Sequence, residues 1–263
     1  LLYSILCFIE LKSTWNYNYC MSFEYSENEL VQNSAIELLR DTLKWRTFYA
    51  YNDEVLDDDS SHKSIGRKSY KEILLTRYLK EAVFKLNDWM TDDIFGQVLK
   101  ILNTKISSDS AIQTNEKNYN FFKEGIEVDV QNENGSYVKR KVQLFDFNHP
   151  EENDFLAVQE MKIWGEVYHR RADIVGFVNG IPLLFVELKR DDIPVENAYN
   201  DNYKDYQTTI PQLFYYNAFI MFANGPEAKV GTLGAKFKFF HEWKRLSEDD
   251  EEGSVAFETM LLG

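Results

Sequence analysis

Two apolar segments on either side of Asn179-Gly180 constrain the fold more than any other feature of this chain. Residues 172–178 and 181–188 are almost wholly apolar. The Asn-Gly dipeptide favours a tight turn between antiparallel strands. Because a strand without polar alternation has both faces buried, the sequence predicts a hairpin in the centre of a sheet.

Charged residues stand at the outer end of this predicted hairpin. Asp173 lies near the start of the first strand, and Glu187 and Lys189 lie at the end of the second. Side chains alternate along a strand, so Glu187 and Lys189 face the same way. An ionised Asp173 inside a mostly apolar strand needs a partner or a metal ion. The pattern therefore indicates a site at this end of the hairpin.

The register of the hairpin decides whether Asp173 joins the other two residues. A two-residue loop would place Asp173 opposite Val186 and turn it away from Glu187. A three-residue loop at 179–181 would place it opposite Glu187 instead. We predict the three-residue loop or an equivalent β-bulge, which shifts the pairing by one residue.

The residue types fit hydrolysis of a phosphodiester. Two carboxylates bind Mg²⁺, a hard ion that prefers oxygen ligands, and Mn²⁺ is the alternative ion. We expect Asp173, Glu187 and the backbone carbonyl of Leu188 to be the metal ligands. Lys189 would orient the attacking water and stabilise the transition state, which makes Asp173, Glu187 and Lys189 the predicted catalytic residues. An acid–x–lysine triplet also occurs by chance at solvated strand ends, so the spacing alone leaves that reading open.

The charge distribution allows a nucleic-acid substrate near this site. The formal net charge of −14 by itself argues against nucleic-acid binding. Residues 160–245, however, hold 11 basic and 11 acidic residues, so the acidic excess lies elsewhere in the chain. The residues we expect to contact DNA phosphates are Arg170, Arg171 and Arg190.

The remaining composition predicts a cytoplasmic protein that does not interact with membranes. Cys7 and Cys20 are the two cysteines, too few for a disulfide framework. The apolar stretch at residues 1–9 is too short to span a bilayer. We interpret residues 1–21 as an upstream extension, because Met21-Ser22-Phe23 resembles a natural start.

Periodicity predicts an α/β or α+β domain with a mixed sheet. A helical part extends to about residue 120, and a catalytic sheet occupies about 121–245. The predicted helices are 26–44, 70–86, 92–102, 196–206 and 211–215, and the stretch 107–118 is predicted to be a polar connection. The predicted strands are 45–50, 126–130, 137–147, 155–163, 172–178, 181–188 and 219–223.

Residues 170–189 strongly resemble the N-terminal nuclease domain of type I restriction enzyme R subunits, a member of the PD-(D/E)xK nuclease superfamily. The similarity covers about residues 22–263 and implies an α/β fold in which helices flank a mixed central sheet, with a helical part at about 22–120. It extends to four further segments: 30–39 (LVQNSAIELL), 153–155 (NDF), 210–217 (IPQLFYYN) and 230–233 (VGTL).

The resemblance implies a Mg²⁺-dependent type I site-specific deoxyribonuclease acting on double-stranded DNA. Asp173, Glu187 and Lys189 match the metal-binding acids and the catalytic lysine of the family. R subunits continue into ATP-driven motor domains and assemble with methylation and specificity subunits, which choose the target. We interpret the chain as ending where the motor would begin. It has no G-x-x-x-x-G-K-[ST] loop, so ATP would act only through the missing motor domains.

Two departures from the family pattern concern accessory residues. Gln32 stands where similar proteins usually have a Glu beside the metal. Asn202 and Tyr206 occupy the place of a Gln-x-x-x-Tyr element. These changes leave the metal-binding residues in place but could slow cleavage. The alternative function is therefore a catalytically impaired module with the same fold that binds DNA or docks partner subunits.

Overall fold

The computed structural model describes residues 27–51, 54–56, 64–104, 110–224 and 226–242. The upstream extension interpreted at residues 1–21 lies outside these residues. None of the described helices is long and apolar enough to cross a membrane.

Seven strands form one mixed sheet in the described part of the chain, in the order β1-β4-β5-β6-β7-β8-β9. The β1–β4 and β6–β7 pairs are parallel, and the other neighbours are antiparallel. The prediction of a mixed central sheet is thereby confirmed. The strands are β1 Arg46–Tyr49, β4 Phe155–Trp164, β5 His169–Val178, β6 Ile181–Leu188, β7 Phe219–Ala223, β8 Ala228–Gly231 and β9 His241–Glu242.

Helices cover both faces of the sheet, as predicted. Among the described residues, α1 packs on one face with Ile174 and Val186, and the other helices contribute to the larger core on the opposite face. The helices are α1 Glu27–Glu37, extended by a π-helical turn at Leu38–Thr42, α2 Thr76–Leu86, α3 Asp92–Asn103, α4 Ala111–Glu124 and α5 Lys204–Thr209, which follows a π-helical turn at Ala198–Tyr203.

Neighbouring residues of the central hairpin enter two separate cores. Ile174 and Val186 pack with Leu39 on the α1 side. Val175 and Phe185 belong to the larger core on the opposite side. This division explains the apolar sequence of β5 and β6, because both parities of each strand are buried.

One predicted helix start is wrong. The helix predicted at 70–86 begins only at Thr76, because residues 70–75 are not helical and the Leu75 N–H donates to the Gly180 carbonyl at 2.9 Å.

The polar connection predicted at 107–118 is a helix from residue 111 onward. Ser110 and Gln113 form a capping box, in which each side chain bonds the backbone N–H of the other residue. These reciprocal bonds satisfy two donors that a helix start leaves free, which lets a mostly polar segment begin a helix.

The strands β2, Ile126–Gln131, and β3, Tyr137–Val142, form a separate two-stranded sheet in the part of the chain that the structure describes. The strand predicted at 137–147 therefore ends five residues early. Since β1 lies before residue 120 and β4 to β9 lie after it, the seven-stranded sheet draws on both parts of the chain.

The turn between β5 and β6 has two residues, so the three-residue loop is wrong. Asn179 and Gly180 have φ values of 51° and 76°, which the tight turns of two-residue hairpins require. The Asn179 amide donates to the Leu144 carbonyl at 2.8 Å and accepts from the Asp154 N–H at 2.8 Å. These contacts fix the turn against the preceding segment.

The equivalent bulge is confirmed, and it lies within β6. Phe177 pairs with Pro182, whereas Gly176 pairs with Leu184, so the register shifts by one residue between them. Further along, Ile174 pairs with Val186. In this register Asp173 stands opposite Glu187, as the proposed site requires.

Gly180→Ala should destabilise the protein more than Gly135→Ala does. Both glycines have φ near +77°, so each alanine costs about 1 kcal/mol of backbone strain. An added Cβ at Gly180 would lie 2.5 Å from the Leu75 carbonyl oxygen, whereas one at Gly135 meets nothing closer than 3.8 Å. We expect a further loss of about 1–3 kcal/mol for Gly180→Ala, measured by urea denaturation. Equal losses would show that the turn is not held rigidly.

Candidate active site

A cavity of about 1070 Å³ opens where β4, β5 and β6 end beside α1 and α5. It brings together nine of the ten residues that the sequence singled out. Arg190 does not line it. The lining residues among the predicted set are Gln32, Arg170, Arg171, Asp173, Glu187, Leu188, Lys189, Asn202 and Tyr206.

Asp173 is held by two hydrogen bonds. Its Oδ1 accepts from the Gln32 amide at 3.1 Å, and its Oδ2 accepts from the Leu188 N–H at 2.8 Å. Burial raises the pKa of Asp173 to about 6, while the Leu188 N–H opposes that rise. Near neutral pH the Asp173 carboxyl is therefore a buried anion with little access to solvent.

Glu187 is buried more deeply, with 2% of its surface exposed. Its Oε2 has no hydrogen-bond partner among the residues that the structure describes. Burial raises the pKa of Glu187 well above its usual range, and the charge of Asp173 raises it further. An orphaned, buried carboxyl oxygen is costly, which indicates that something absent from the chain itself satisfies it.

Lys189 follows directly after β6. Asn202, in the π-helical turn before α5, and Tyr206, in α5 itself, lie near it. The Lys189 ammonium donates to the Asn202 side-chain oxygen at 2.6 Å. The Tyr206 hydroxyl donates to the Arg171 carbonyl at 2.9 Å. Burial and the nearby Glu187 raise the pKa of Tyr206, so the hydroxyl keeps its proton. Asn202 thus holds the lysine, and Tyr206 fastens α5 to β5.

Gln32 reaches the site from α1. Besides donating to Asp173, its side-chain oxygen accepts from the Gln159 amide at 3.4 Å. A carboxylate at position 32 would accept but not donate, so it would repel Asp173 unless a cation lay between them. Gln32 therefore satisfies Asp173 without any ion.

Glu160 is a site residue that the sequence analysis missed. It stands on β4 opposite Asp173, between the Gln159–Ile174 and Met161–Ala172 pairs, and has a φ of +57°. Its carboxylate forms an ion pair with Arg171. The available signal was an acidic residue inside the apolar strand predicted at 155–163.

The three arginines predicted to contact DNA form ion pairs within the protein. Arg170 binds Asp205 of α5 through two nitrogens, one of them at 3.0 Å, and Arg171 binds Glu160. Arg190 pairs at 2.8 Å with Asp192, outside the cavity. Contact of these arginines with DNA stays a prediction.

The residues present fit a divalent metal ion of the Mg²⁺ type. Two carboxylates share one cavity, and one of their oxygens is buried without a partner. Carboxylate oxygen is the ligand that such an ion prefers. The described residues contain no group of three or more His, Cys, Asp or Glu placed to hold a metal together. A role for the Leu188 carbonyl stays a prediction.

Comparison with known proteins finds one family and several relatives. The family described as "Type I restriction enzyme R protein N terminus" matches residues 24–239. The "Type I restriction enzyme HindI endonuclease subunit" of Haemophilus influenzae is 31% identical over 200 residues, 74% of this chain and 19% of the relative. The "Putative type I restriction enzyme MjaIXP endonuclease subunit" of Methanocaldococcus jannaschii is 27% identical over 233 residues, 86% and 21% of the two chains. The chain thus spans about a fifth of the length of these curated relatives.

Asp173→Asn should stabilise the metal-free protein at neutral pH. Because the pKa of Asp173 is raised from 3.8 to about 6, the folded state holds this proton more tightly than the unfolded state. The free energy of unfolding therefore falls as pH rises from about 4 to 6, by on the order of 2–3 kcal/mol. Urea denaturation in the presence of a chelator should show that the free energy of unfolding of the variant, relative to wild type, increases as pH rises from about 4 to 6.

Asp205→Asn is the control with the opposite sign. Its hydrogen bond from Arg170 lowers the pKa of Asp205, so this carboxylate stabilises the fold above pH 4. The control should be less stable than wild type at pH 7 and should match it in acid. If Asp173→Asn followed the same trend, the Asp173 carboxylate would not be under strain from burial.

Proposed function

The chain belongs to the family of type I restriction enzyme R-protein N-termini, and from that premise we propose that it is a metal-dependent nuclease module that hydrolyses DNA. The observation that carries the proposal is Glu187, buried beside Asp173 with one carboxyl oxygen unpaired among the described residues. A purely structural carboxyl in this position would be expected to have a partner.

In this proposal Asp173 and Glu187 hold Mg²⁺ or Mn²⁺, with the Leu188 backbone carbonyl as a third ligand. When bound, the ion would neutralise phosphate charge and lower the pKa of a water molecule. The protein holds Asp173 in place through the Leu188 N–H, which bonds its Oδ2 at 2.8 Å. The buried surroundings strengthen the attraction of both carboxylates for a cation.

Lys189 would stabilise the negative charge that develops on the phosphate during attack by water. An ammonium has three donors, and Asn202 accepts one of them at 2.6 Å. The remaining two can reach the phosphate oxygens and the attacking water. Because Asn202 fixes the lysine beforehand, little reorganisation is needed in the transition state.

The substrate in this proposal is double-stranded DNA, and the cutting site is chosen elsewhere. The domain would act with methylation and specificity subunits in the cytoplasm. ATP would act through motor domains outside the described residues. The printed names of the relatives, which call them endonuclease subunits, support this assignment.

The Gln32 contact favours a second candidate, a catalytically impaired module that binds DNA or docks partner subunits. The amide occupies Asp173 Oδ1 at 3.1 Å and supplies no negative charge to a metal. In this reading the fold persists, but metal binding is too weak for cleavage. Metal binding and cleavage therefore have to be measured together.

Glu187→Gln should abolish both the metal response and cleavage. Wild type should be stabilised by Mg²⁺ or Mn²⁺ in thermal denaturation, by about 2.7 kcal/mol at a metal concentration a hundred times Kd. The variant should lose this shift, and its nicking of supercoiled plasmid should fall by about 10²-fold or more. Glu166→Gln is the matched control, because Glu166 is exposed between β4 and β5 and outside the cavity.

The outcomes separate the two candidates. Metal stabilisation of wild type without nicking, even with Mn²⁺ at high protein concentration, would support the impaired module. A metal shift that persists in Glu187→Gln would contradict the assigned site itself.

Gln32→Glu should tighten metal binding and raise the nicking rate. The substitution removes a donor to Asp173 and adds a carboxylate beside it, so the metal-free protein should be less stable. With metal bound, the added charge becomes favourable. Titration with Mn²⁺ followed by thermal denaturation would measure both effects.

Gln159→Glu is the control for this substitution. Gln159 lines the same cavity and contacts Gln32, not Asp173. It should destabilise the protein without tightening metal binding. Equal tightening in both variants would show that only the overall charge of the cavity matters.

A further inference from the structure

A pair of cations lines the cavity beyond the carboxylates. Lys162 of β4 and Arg171 of β5 stand directly opposite each other in the antiparallel pairing. Both lie over the ring of Tyr51, the Arg171 guanidinium at 4.6 Å and the Lys162 ammonium at 5.1 Å from its centroid. All three residues line the same cavity as Asp173.

The two cations are not fully compensated within the described chain. Like charges directly opposite each other destabilise a sheet, and the ring of Tyr51 offsets part of that cost. Arg171 also has the carboxylate of Glu160. Lys162 has no carboxylate partner among the described residues. The pair therefore presents about one uncompensated positive charge to the cavity.

Its position relative to the carboxylates fits a nucleic-acid strand. Lys162 and Arg171 lie two residues along β4 and β5 from Glu160 and Asp173, a distance of about 7 Å along the strands. Neighbouring phosphates of one DNA strand are separated by a comparable distance. A planar guanidinium and an ammonium together suit a phosphate group, because the first offers a fork of donors and the second a mobile point charge.

We propose that Lys162 and Arg171, both placed over the ring of Tyr51, bind the phosphate next to the scissile one on the cleaved strand. This inference rests on the proposed nuclease function and adds a substrate-binding subsite to it. Glu160 acts there as a positioning residue, holding Arg171 over the ring. Its left-handed backbone, with a φ of +57°, is the kind of local strain that persists where a site requires it.

The neighbouring arginines differ from this pair. The Arg170 guanidinium is engaged through two nitrogens by Asp205 of α5, so it joins the helix to the sheet. Arg190 pairs with Asp192 outside the cavity. Of the positive residues on β4 and β5 that line the cavity, Lys162 and Arg171 are thus the pair placed for an anion.

Lys162→Gln should weaken DNA binding by removing one phosphate contact. Fluorescence anisotropy with a short duplex in a chelator, repeated over a range of salt concentrations, measures this without cleavage. The variant should bind severalfold more weakly, and the slope of log K against log salt should fall in magnitude by about 1. With Mg²⁺ or Mn²⁺ present, its KM for plasmid nicking should rise while kcat is retained.

Lys123→Gln is the matched control, because Lys123 also lies over a tyrosine ring, that of Tyr119 at 5.9 Å, but on α4 away from the cavity. It should leave the slope unchanged. Lys162→Arg should restore the slope lost in Lys162→Gln, which separates lost charge from lost folding. Thermal denaturation of each variant verifies that it is folded.

The results distinguish this inference from the function on which it rests. Wild type that binds and nicks DNA, with the same salt slope in Lys162→Gln, would overturn the subsite alone. An equal loss in Lys123→Gln would overturn it too, because the effect would then be a general one of charge. Wild type that neither binds DNA nor nicks it with metal would overturn the nuclease assignment and the subsite together.

Discussion

A one-residue shift in the pairing of β5 and β6 is the constraint on which the site depends. Without the bulge, Asp173 would stand opposite Val186 and point away from Glu187. With it, the two carboxylates share a cavity with Lys189. The shift is possible because the strands are held from both sides, by α1 on one face and the larger core on the other. Packing thus determines the chemistry that this end of the sheet can perform.

Burial makes the two carboxylates of the candidate site costly to ionise. Desolvation raises the pKa of Asp173 and of Glu187, so each anion destabilises the metal-free fold. A bound cation would reverse this cost, which couples folding, metal binding and pH. Gln32 reduces the cost without an ion, since its amide bonds Asp173 directly. In the proposed function, the residue at position 32 would therefore balance metal-free stability against affinity for metal.

The sequence predicted the parts of this structure that depend on local patterns. Apolar runs predicted the central hairpin and the mixed sheet. The alternation of side chains along the strands predicted that the register must shift near the turn if Asp173 and Glu187 are to share a face. The helix α4 was missed because its polar sequence has few apolar positions, and only the Ser110–Gln113 capping box marks its start. Glu160 and Lys162 were missed for another reason. The pairing of β4 with β5 places Glu160 beside Asp173 and Lys162 beside Arg171, and this register cannot be deduced from either strand's sequence alone.

The bulge also affects how related chains are to be aligned. A three-residue turn would also place Asp173 opposite Glu187 without any bulge. This requires that β6 be one residue shorter. The two solutions contain the same number of residues between Asp173 and Glu187. An insertion at the turn and a deletion within the strand can therefore compensate each other during divergence. Selection would preserve the number of residues between Asp173 and Glu187. Whether the extra residue lies in the turn or in a bulge of β6 could differ between relatives.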